Sequence, residues 1–342
     1  MLVKVEEIRN ICIGIFNSIG VDDKLSELIV DDLIDNDIQG YSSHGVIRVK
    51  EYVTHIKQGY IFSESKPTIN LISKTTSMID GNKSFGVLVV KKVVEHLLQK
   101  LKTNKFGFVT FANSGHIGRL ANIAAPITHA GGIIIGFLNF SGSGQNVIPF
   151  GGKTPKLCTN PIVMGAPSPE GPILIDFSTS SYSEGKLRDA YYRNQEIPEG
   201  VLVDKKGNYI TDPKEFYEKY GEVFLTPLGG SELGYKGFGL SLFTEILAGI
   251  VSGGGCSSTK LGGMTNSGFF LTFSPEIFDQ SSDTFSFEVN NLINYLREPI
   301  LGMSSNNVSI PGLRKRNNNK ETKIIDLPQK ILDELMELNN ND

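Results

Sequence analysis

The sequence predicts an α/β protein in which a layered core, not a Rossmann domain, follows an all-helical N-terminal part. Three observations carry this. Residues 4–60 repeat their apolar side chains at helical spacing, strand-like and helix-like runs alternate from about residue 68, and no GxGxxG fingerprint follows the first strands.

In the N-terminal part, Val5, Ile8, Cys12, Ile15 and Phe16 form one helical stripe, and Leu25, Leu28, Ile29, Leu33 and Ile34 form a second. Asp22 or Asp23 can cap the second helix, and Gly40 can end it. A third helix is expected from Ser43 to about Gln58, with Gly59 as its stop. Thr76–Ile79 and Phe106–Phe111 read as strands, separated by an amphipathic helix through Phe85, Leu88, Val89, Val93, Leu97 and Leu101. A helix near Arg119–Ala130 stops at Gly131 and Gly132. It leads into Ile133–Asn139, an apolar, β-branched run suited to a buried strand. Pro172–Phe177 and the short run Asn208–Ile210 are further strand candidates. Lys236–Val251 returns to helix, and a last amphipathic helix covers Leu327–Leu338.

At 342 residues the chain can form one large or two medium domains. Its net charge is −4, with acids and bases interspersed, so no basic stripe points to nucleic acid and no polybasic segment to a membrane surface. The amphipathic N-terminus carries Lys4, Glu6, Glu7 and Arg9, unlike a signal peptide, and the longest apolar run, Ile133–Leu138, is too short to cross a bilayer. Cys12, Cys158 and Cys256 are odd in number and far apart, which argues against a disulfide framework or a structural zinc site and for a reducing cytosol.

On the expected third helix, His44, Arg48 and Tyr52 fall at i, i+4 and i+8 and share a face, while Val46, Val49, Val53 and Ile56 anchor another. An imidazole, a guanidinium and a phenol together suit an anionic substrate with an ionisable hydroxyl. The plain alternatives are a solvated polar face, or an Arg48 that only braces the fold through a salt bridge to a nearby acid such as Glu51. His116, within Asn113-Ser114-Gly115-His116-Ile117-Gly118, lies between a strand and a helix, where ligands gather in open α/β sheets; turn chemistry alone would also explain its glycines. His55, His96 and His129 look ordinary, and no metal-ligand spacing occurs. Asp176, Ser178, Thr179 and Ser180 end a strand in hydroxyls and a carboxylate that can bond ribose or phosphate, though such residues equally form plain turns. Lys236 stands at a helix start, where the macrodipole disfavours cations; a nearby anion or simple solvent exposure would account for it. Gly152-Lys153-Thr154 imitates the end of a P-loop, but the first glycine would fall at Val147.

Several of these segments, in order, resemble the malate/L-lactate dehydrogenase family, whose fold is distinct from that of the Rossmann dehydrogenases. They are Ser42-Ser43-His44-Gly45-Val46 with Arg48 and Tyr52, the His116 motif, Pro149-Phe150-Gly151-Gly152, Thr159-Asn160-Pro161, Ile175-Asp176 with Thr179-Ser180 and Gly185-Lys186, Ile197-Pro198-Glu199-Gly200, Pro227-Leu228-Gly229-Gly230, Lys236-Gly237-Phe238-Gly239-Leu240, and Ile310-Pro311-Gly312. The family includes ureidoglycolate, sulfolactate and malate dehydrogenases, diketogulonate reductase and cyclic-imine reductases.

The resemblance implies a mixed-sheet α/β part joined to the helical one, and a homodimer. The chain then divides into a helical N-terminal part (1–70) packed with the C-terminal part, a mixed α/β cofactor-binding part (71–235), and a helical C-terminal part (236–342) that completes the cofactor site. NAD, with NADP as the alternative, would be met by Asp176, Ser178, Thr179, Ser180, Lys236, Gly312, Leu313, Arg314 and Ser141. His44 or His116 would transfer the proton, Arg48 would hold the substrate carboxylate, and Ser43 and Tyr52 would also meet the substrate. No metal is expected. Tyr235, Leu313 and the stretch Asn139–Ile148, with Phe140, depart from the family pattern, which leaves contacts from Asn139 and Ser141 open. The activity implied is hydride transfer between a nicotinamide cofactor and a small 2-hydroxy acid. Reduction of a cyclic imine or an oxo sugar acid, a non-catalytic binding homologue and a metal-dependent lyase are the rivals.

Overall fold

The computed structural model describes residues 1–219, 221–258, 264–299, 308–313 and 323–340. The N-terminal part runs through β1 (Leu2–Lys4), α1 (Val5–Ser18), α2 (Asp23–Ile38), two 3-10 turns (Ser42–His44 and Val46–Arg48) and α3 (Val49–Lys57). Asp22 caps α2, its side chain accepting from the Lys24 and Leu25 N–H groups. There follow β2 (Thr68–Leu71), β3 (Thr76–Asp80), α4 (Gly86–Asn104), β4 (Phe106–Ser114), α5 (Ala121–His129), β5 (Ile133–Gly142), β6 (Ile162–Ala166), β7 (Ile173–Phe177) and α6 (Glu184–Arg193). Then come β8 (Leu202–Asp204), β9 (Tyr209–Ile210), α7 (Lys214–Glu218), β10 (Val223–Leu225), α8 (Gly230–Leu233) and α9 (Tyr235–Thr244), which continues as a π-helical segment, Glu245–Val251. The chain closes with β11 (Met264–Phe273), α10 (Ser282–Arg297), β12 (Ile324–Asp326) and α11 (Gln329–Asn340).

Seven strands form one mixed sheet in the order β2-β3-β4-β11-β5-β6-β7, parallel at β3–β4 and antiparallel elsewhere. Its inner strands are buried by α4 and α5 through Val89, Val93, Leu97, Ile123 and Ile127. A separate core joins α1, α2 and α3 to α11 through Ile8, Ile15, Phe16, Leu33, Ile331 and Leu335, and β1 pairs with β12 beside it. A third, around Leu187, Leu202 and Leu225, holds a small sheet of order β10-β8-β9 against α6.

Two expectations need correcting. Ser43–Gln58 is not one helix: the chain is extended at Gly45, between the two 3-10 turns, and becomes α-helical only at Val49. The cause is tertiary, because Gly45 packs against the Asp37 carboxyl, which accepts the Val46 N–H at 2.8 Å. The C-terminal range is also not wholly helical, since it supplies β11, the strand at the centre of the sheet.

Candidate active site

A cavity of about 990 Å³ opens between the helical part, the strand ends of the large sheet and the small sheet. Ser43, His44 and Arg48 line one side, the Gly115–Gly118 loop brings His116, and the end of β7 brings Asp176, Ser178 and Ser180. Although the expected helix is broken, the turns still deliver His44 and Arg48 to the same wall. The two imidazoles lie nearly parallel, 5.8 Å apart and 23° from coplanar. Ser43 Oγ is 2.8 Å from His44 Nδ1, and Tyr52 Oη is 2.8 Å from His116 Nδ1.

Tyr52 itself stands behind His116 and is buried, so it addresses the histidine and not the cavity, a correction to its expected contact with substrate. Burial, then Arg48, holds His44 well below the usual imidazole range, and the same two causes push His116 down to about 3. Both rings are therefore neutral near pH 7.

Arg48 is only 6% exposed. Its Nε donates to Ser43 O at 2.9 Å, Nη1 to Glu51 at 2.8 Å and Nη2 to Glu184 at 3.3 Å. Arg188 pairs with the same two acids, at 2.6 Å to Glu51 and 2.9 Å to Glu184, and Tyr217 Oη donates to Glu184 at 2.9 Å. Burial opposes the charge on Glu51, but Arg48 and Arg188 hold its carboxyl well below the usual range. This quartet places two cations and two anions at the histidine end of the cavity.

Also on the wall, Asp176 accepts the Ala121 N–H at 3.0 Å, and burial raises its carboxyl above the usual range. Gly312 lines the wall at a positive φ; a Cβ there would overlap Pro172 and Leu174, so only glycine fits. Four other expected cofactor residues are not on this wall. Thr179 is buried, with N–H and Oγ1 both donating to Thr159 O. Ser141, on β5, is buried with its hydroxyl bonding Gly255 O and Ser267 Oγ, and Lys236 is exposed beyond the wall, above the Tyr235 ring. Leu313 closes a turn with its N–H on Ile310 O, and Arg314 lies outside the described residues.

Sequence reasoning pairs Glu51 with Arg48 alone, quotes Asn160 only within the Thr159-Asn160-Pro161 motif, and misses Glu184, Arg188 and Asn266 altogether. An acid–base pair at i, i+4 on α6, just after the strand-end hydroxyls, was the available signal for Glu184 and Arg188. Asn266, on β11, accepts the Ile117 N–H at 3.2 Å and so braces the His116 loop.

A sequence model of the malate/L-lactate dehydrogenase family matches residues 3–336. The malate/(S)-sulfolactate dehydrogenase of Methanothermus fervidus is 31% identical, over 99% of this chain and 97% of its own. The L-lactate dehydrogenase of Cupriavidus necator is 27% identical over 91% and 89% of the two chains. Among solved structures, malate dehydrogenase from Entamoeba histolytica superposes with a TM-score of 0.85 at 27% identity, covering 99% of this chain and 97% of that one.

Proposed function

Because the chain belongs to the malate/L-lactate dehydrogenase family, we propose that this cavity interconverts a small 2-hydroxy acid and its 2-oxo acid with NAD or NADP. The chain is a hydroxy acid dehydrogenase. The observation that carries the residue assignment is the pair of neutral, hydrogen-bonded imidazoles beside an arginine, at one end of a cavity that also reaches the Asp176–Ser180 strand end.

The cavity fits a dinucleotide on its own features. Its volume is at the upper end of ligand sites, roughly 300–1,000 Å³, and its wall includes Asn146 and Asn160, whose buried Oδ1 atoms have no partner among the described residues. Asp176, Ser178, Ser180 and Gly312 would hold the cofactor, with Thr179 fixing the Thr159–Asn160 turn beside them. When bound, the nicotinamide supplies the hydride acceptor or donor.

The protein's own residues handle the proton and the anion. His116 is the proton carrier: in the tautomer whose Nδ1–H is donated to Tyr52, which gives up the long 3.4 Å bond that Nδ1 otherwise accepts from the Gly118 N–H, Nε2 is left to accept the substrate hydroxyl proton during oxidation. His44 orients the same hydroxyl. The described bonds of Arg48 use three of its five N–H donors, and the remainder address the substrate carboxylate. That carboxylate would offset the cations that now disfavour a charged imidazole, so substrate binding raises the affinity of His116 for the proton it must take.

The enzyme acts as a homodimer in the cytosol. Support for the dimer is an exposed apolar face on α9 and the π-helical segment; support for the compartment is that all three cysteines are free thiols. A spectrophotometric screen of 2-oxo acids with NADH and NADPH tests the activity, and no oxidation of either cofactor by any of them rejects it. On the best substrate, His116→Ala should lose about a hundred- to ten-thousandfold in kcat and more than His44→Ala. The reverse order reassigns the proton carrier.

A further inference from the structure

Glu245 begins the π-helical segment Glu245–Val251 that continues α9. Such segments recur where a helix has to turn one side chain toward a site. Glu245 is buried, 6% exposed, and its described side-chain bonds are all accepted ones. Asn160 Nδ2 donates to Oε1 at 2.8 Å, Ser257 Oγ to Oε1 at 2.6 Å, and the Ser257 N–H to Oε2 at 2.8 Å.

Asn160 is itself 1% exposed, with a backbone φ of 32°, in the left-handed region that asparagine tolerates. Its amide has two faces. Nδ2 is committed to Glu245 and, at 3.3 Å, to Ser241 Oγ. Oδ1 has no partner among the described residues, although Asn160 lines the cavity.

The amide cannot reverse. A flip would set Oδ1 against a carboxylate oxygen, two acceptors in contact with no proton between them, whereas the Ser241 hydroxyl would rotate to suit either face. Glu245 therefore decides that the remaining face of this amide, on a residue that lines the cavity, is an acceptor and not a donor. A buried acceptor left unmade is costly, so the bound state should bring it a donor.

The surroundings narrow that donor. Thr179 bonds the carbonyl of Thr159, next to Asn160, so the amide adjoins the strand end that Asp176, Ser178 and Ser180 share. Leu138, Phe140 and Phe177 form apolar wall on the same side, which suits a flat ring carrying one amide at its edge. We propose that Glu245 is a positioning residue that locks the Asn160 amide so that Oδ1 accepts a hydrogen bond from the carboxamide N–H of the bound nicotinamide. The inference rests on the dinucleotide reading above.

A cofactor whose carboxamide NH2 is replaced by methyl isolates this bond. Calorimetric titration of the apoprotein with NADH, NADPH and the 3-acetylpyridine analogue of each reads it without turnover. Wild-type protein should bind the natural cofactor about five- to a hundredfold more tightly than its analogue. Glu245→Gln lets the amide turn, because the glutamine NH2 can donate to Asn160 Oδ1; it should bind the natural cofactor more weakly and the analogue as before, which abolishes the preference. Asn160→Ala should do the same, and Glu245→Asp should restore part of the preference.

A wild-type protein that does not distinguish the pair, or variants that keep the wild-type preference, overturns the proposal. So does equal loss of both ligands, which is what a merely structural glutamate would give. If the variants do not fold, as judged by thermal melts, the wild-type comparison decides alone. Failure of wild-type protein to bind any dinucleotide rejects the functional reading itself, and this inference with it.

Discussion

At the scale of single residues, Arg48 has two tasks, and the structure makes them separable. It sits between Glu51 and Glu184, each of which also meets Arg188, and it lines the cavity where a carboxylate would dock. Arg48→Met leaves two acids with one cation in a largely buried setting. The cost should be about 2–4 kcal/mol, near the lower part of the range for a broken buried pair because the acids keep some solvent contact, read as a fall in melting temperature. The same variant should raise KM for the 2-oxo acid tenfold or more. Arg48→Lys keeps one charge without the fork, so it should recover much of the melting temperature but little of KM. An unchanged KM in both would leave Arg48 as a brace only. Asp37 offers a test by pH. Burial, with a further contribution from Asp189, raises its carboxyl to about 7 against the accepted Val46 N–H. A group whose folded pKa exceeds its unfolded value of about 3.9 favours folding below that value, and the benefit is lost as pH rises through about 7. Asn keeps an acceptor for Val46 and does not titrate, so the melting temperature of Asp37→Asn relative to wild type should climb between pH 5 and pH 8. A difference that stays flat over that interval would show that Asp37 does not carry the raised value. His116 works in the opposite sense: its folded value near 3 makes wild-type stability rise with pH up to about 6.5, and comparing the two proteins cancels it.

At the scale of elements, what was legible in the sequence is what short-range periodicity encodes. The stripes of α1, α2 and α4 and the β-branched run of β5 each bury one continuous face, so spacing alone locates them. β11 went unread because the polar run Thr265–Ser267 interrupts the start of Met264–Phe273, and because the strand owes its central place to pairing with β4 and β5, more than a hundred residues away. The break at Gly45 was invisible for a similar reason: it depends on Asp37, eight residues earlier in sequence but in contact only after α2 turns back. The same limit applies to the site. His44, Arg48 and His116 carry recognisable neighbours, whereas Glu184, Arg188 and Asn266 acquire their meaning from partners that only the fold supplies. Gly86 shows how an element positions chemistry. It is the first residue of α4, and a Cβ there would overlap the backbone of His116 and Ile117. Gly86→Ala must therefore push the helix and the histidine loop apart. Overpacking of this kind costs about 1–3 kcal/mol, and it should also weaken the Tyr52–His116 bond and lower kcat well beyond the loss in stability. Wild-type kcat in a folded Gly86→Ala protein would show that the loop tolerates the shift.

At the scale of the whole molecule, one surface is out of keeping with a solitary chain. Along α9 and the π-helical segment, Tyr235, Leu240, Leu242, Phe243, Ile246, Ile250 and Val251 are all exposed, with Phe243 at 53% and Ile250 at 61%. These side chains are too many for one amphipathic stripe; the helix is apolar on the side that packs on β5 and β11 and on the side that faces outward. A contiguous apolar patch beyond a few hundred Å² marks an interaction surface in a soluble protein. A second copy is the partner that needs no other component, since a two-fold axis brings the same patch onto itself. The consequence reaches the cavity, because Glu245 and Ser241 on the buried side of this helix hold Asn160 at the wall. Light scattering at micromolar concentration should therefore give a dimer mass. Phe243→Glu combined with Ile250→Glu should shift it to monomer by placing like charges on both faces of the contact. If the helix relies on that contact for rigidity, the monomer should keep a cooperative melt yet bind NADH or NADPH several-fold more weakly. A wild-type protein that scatters as a monomer would reject the dimer, and a monomeric variant with undiminished cofactor affinity would reject the link from interface to site.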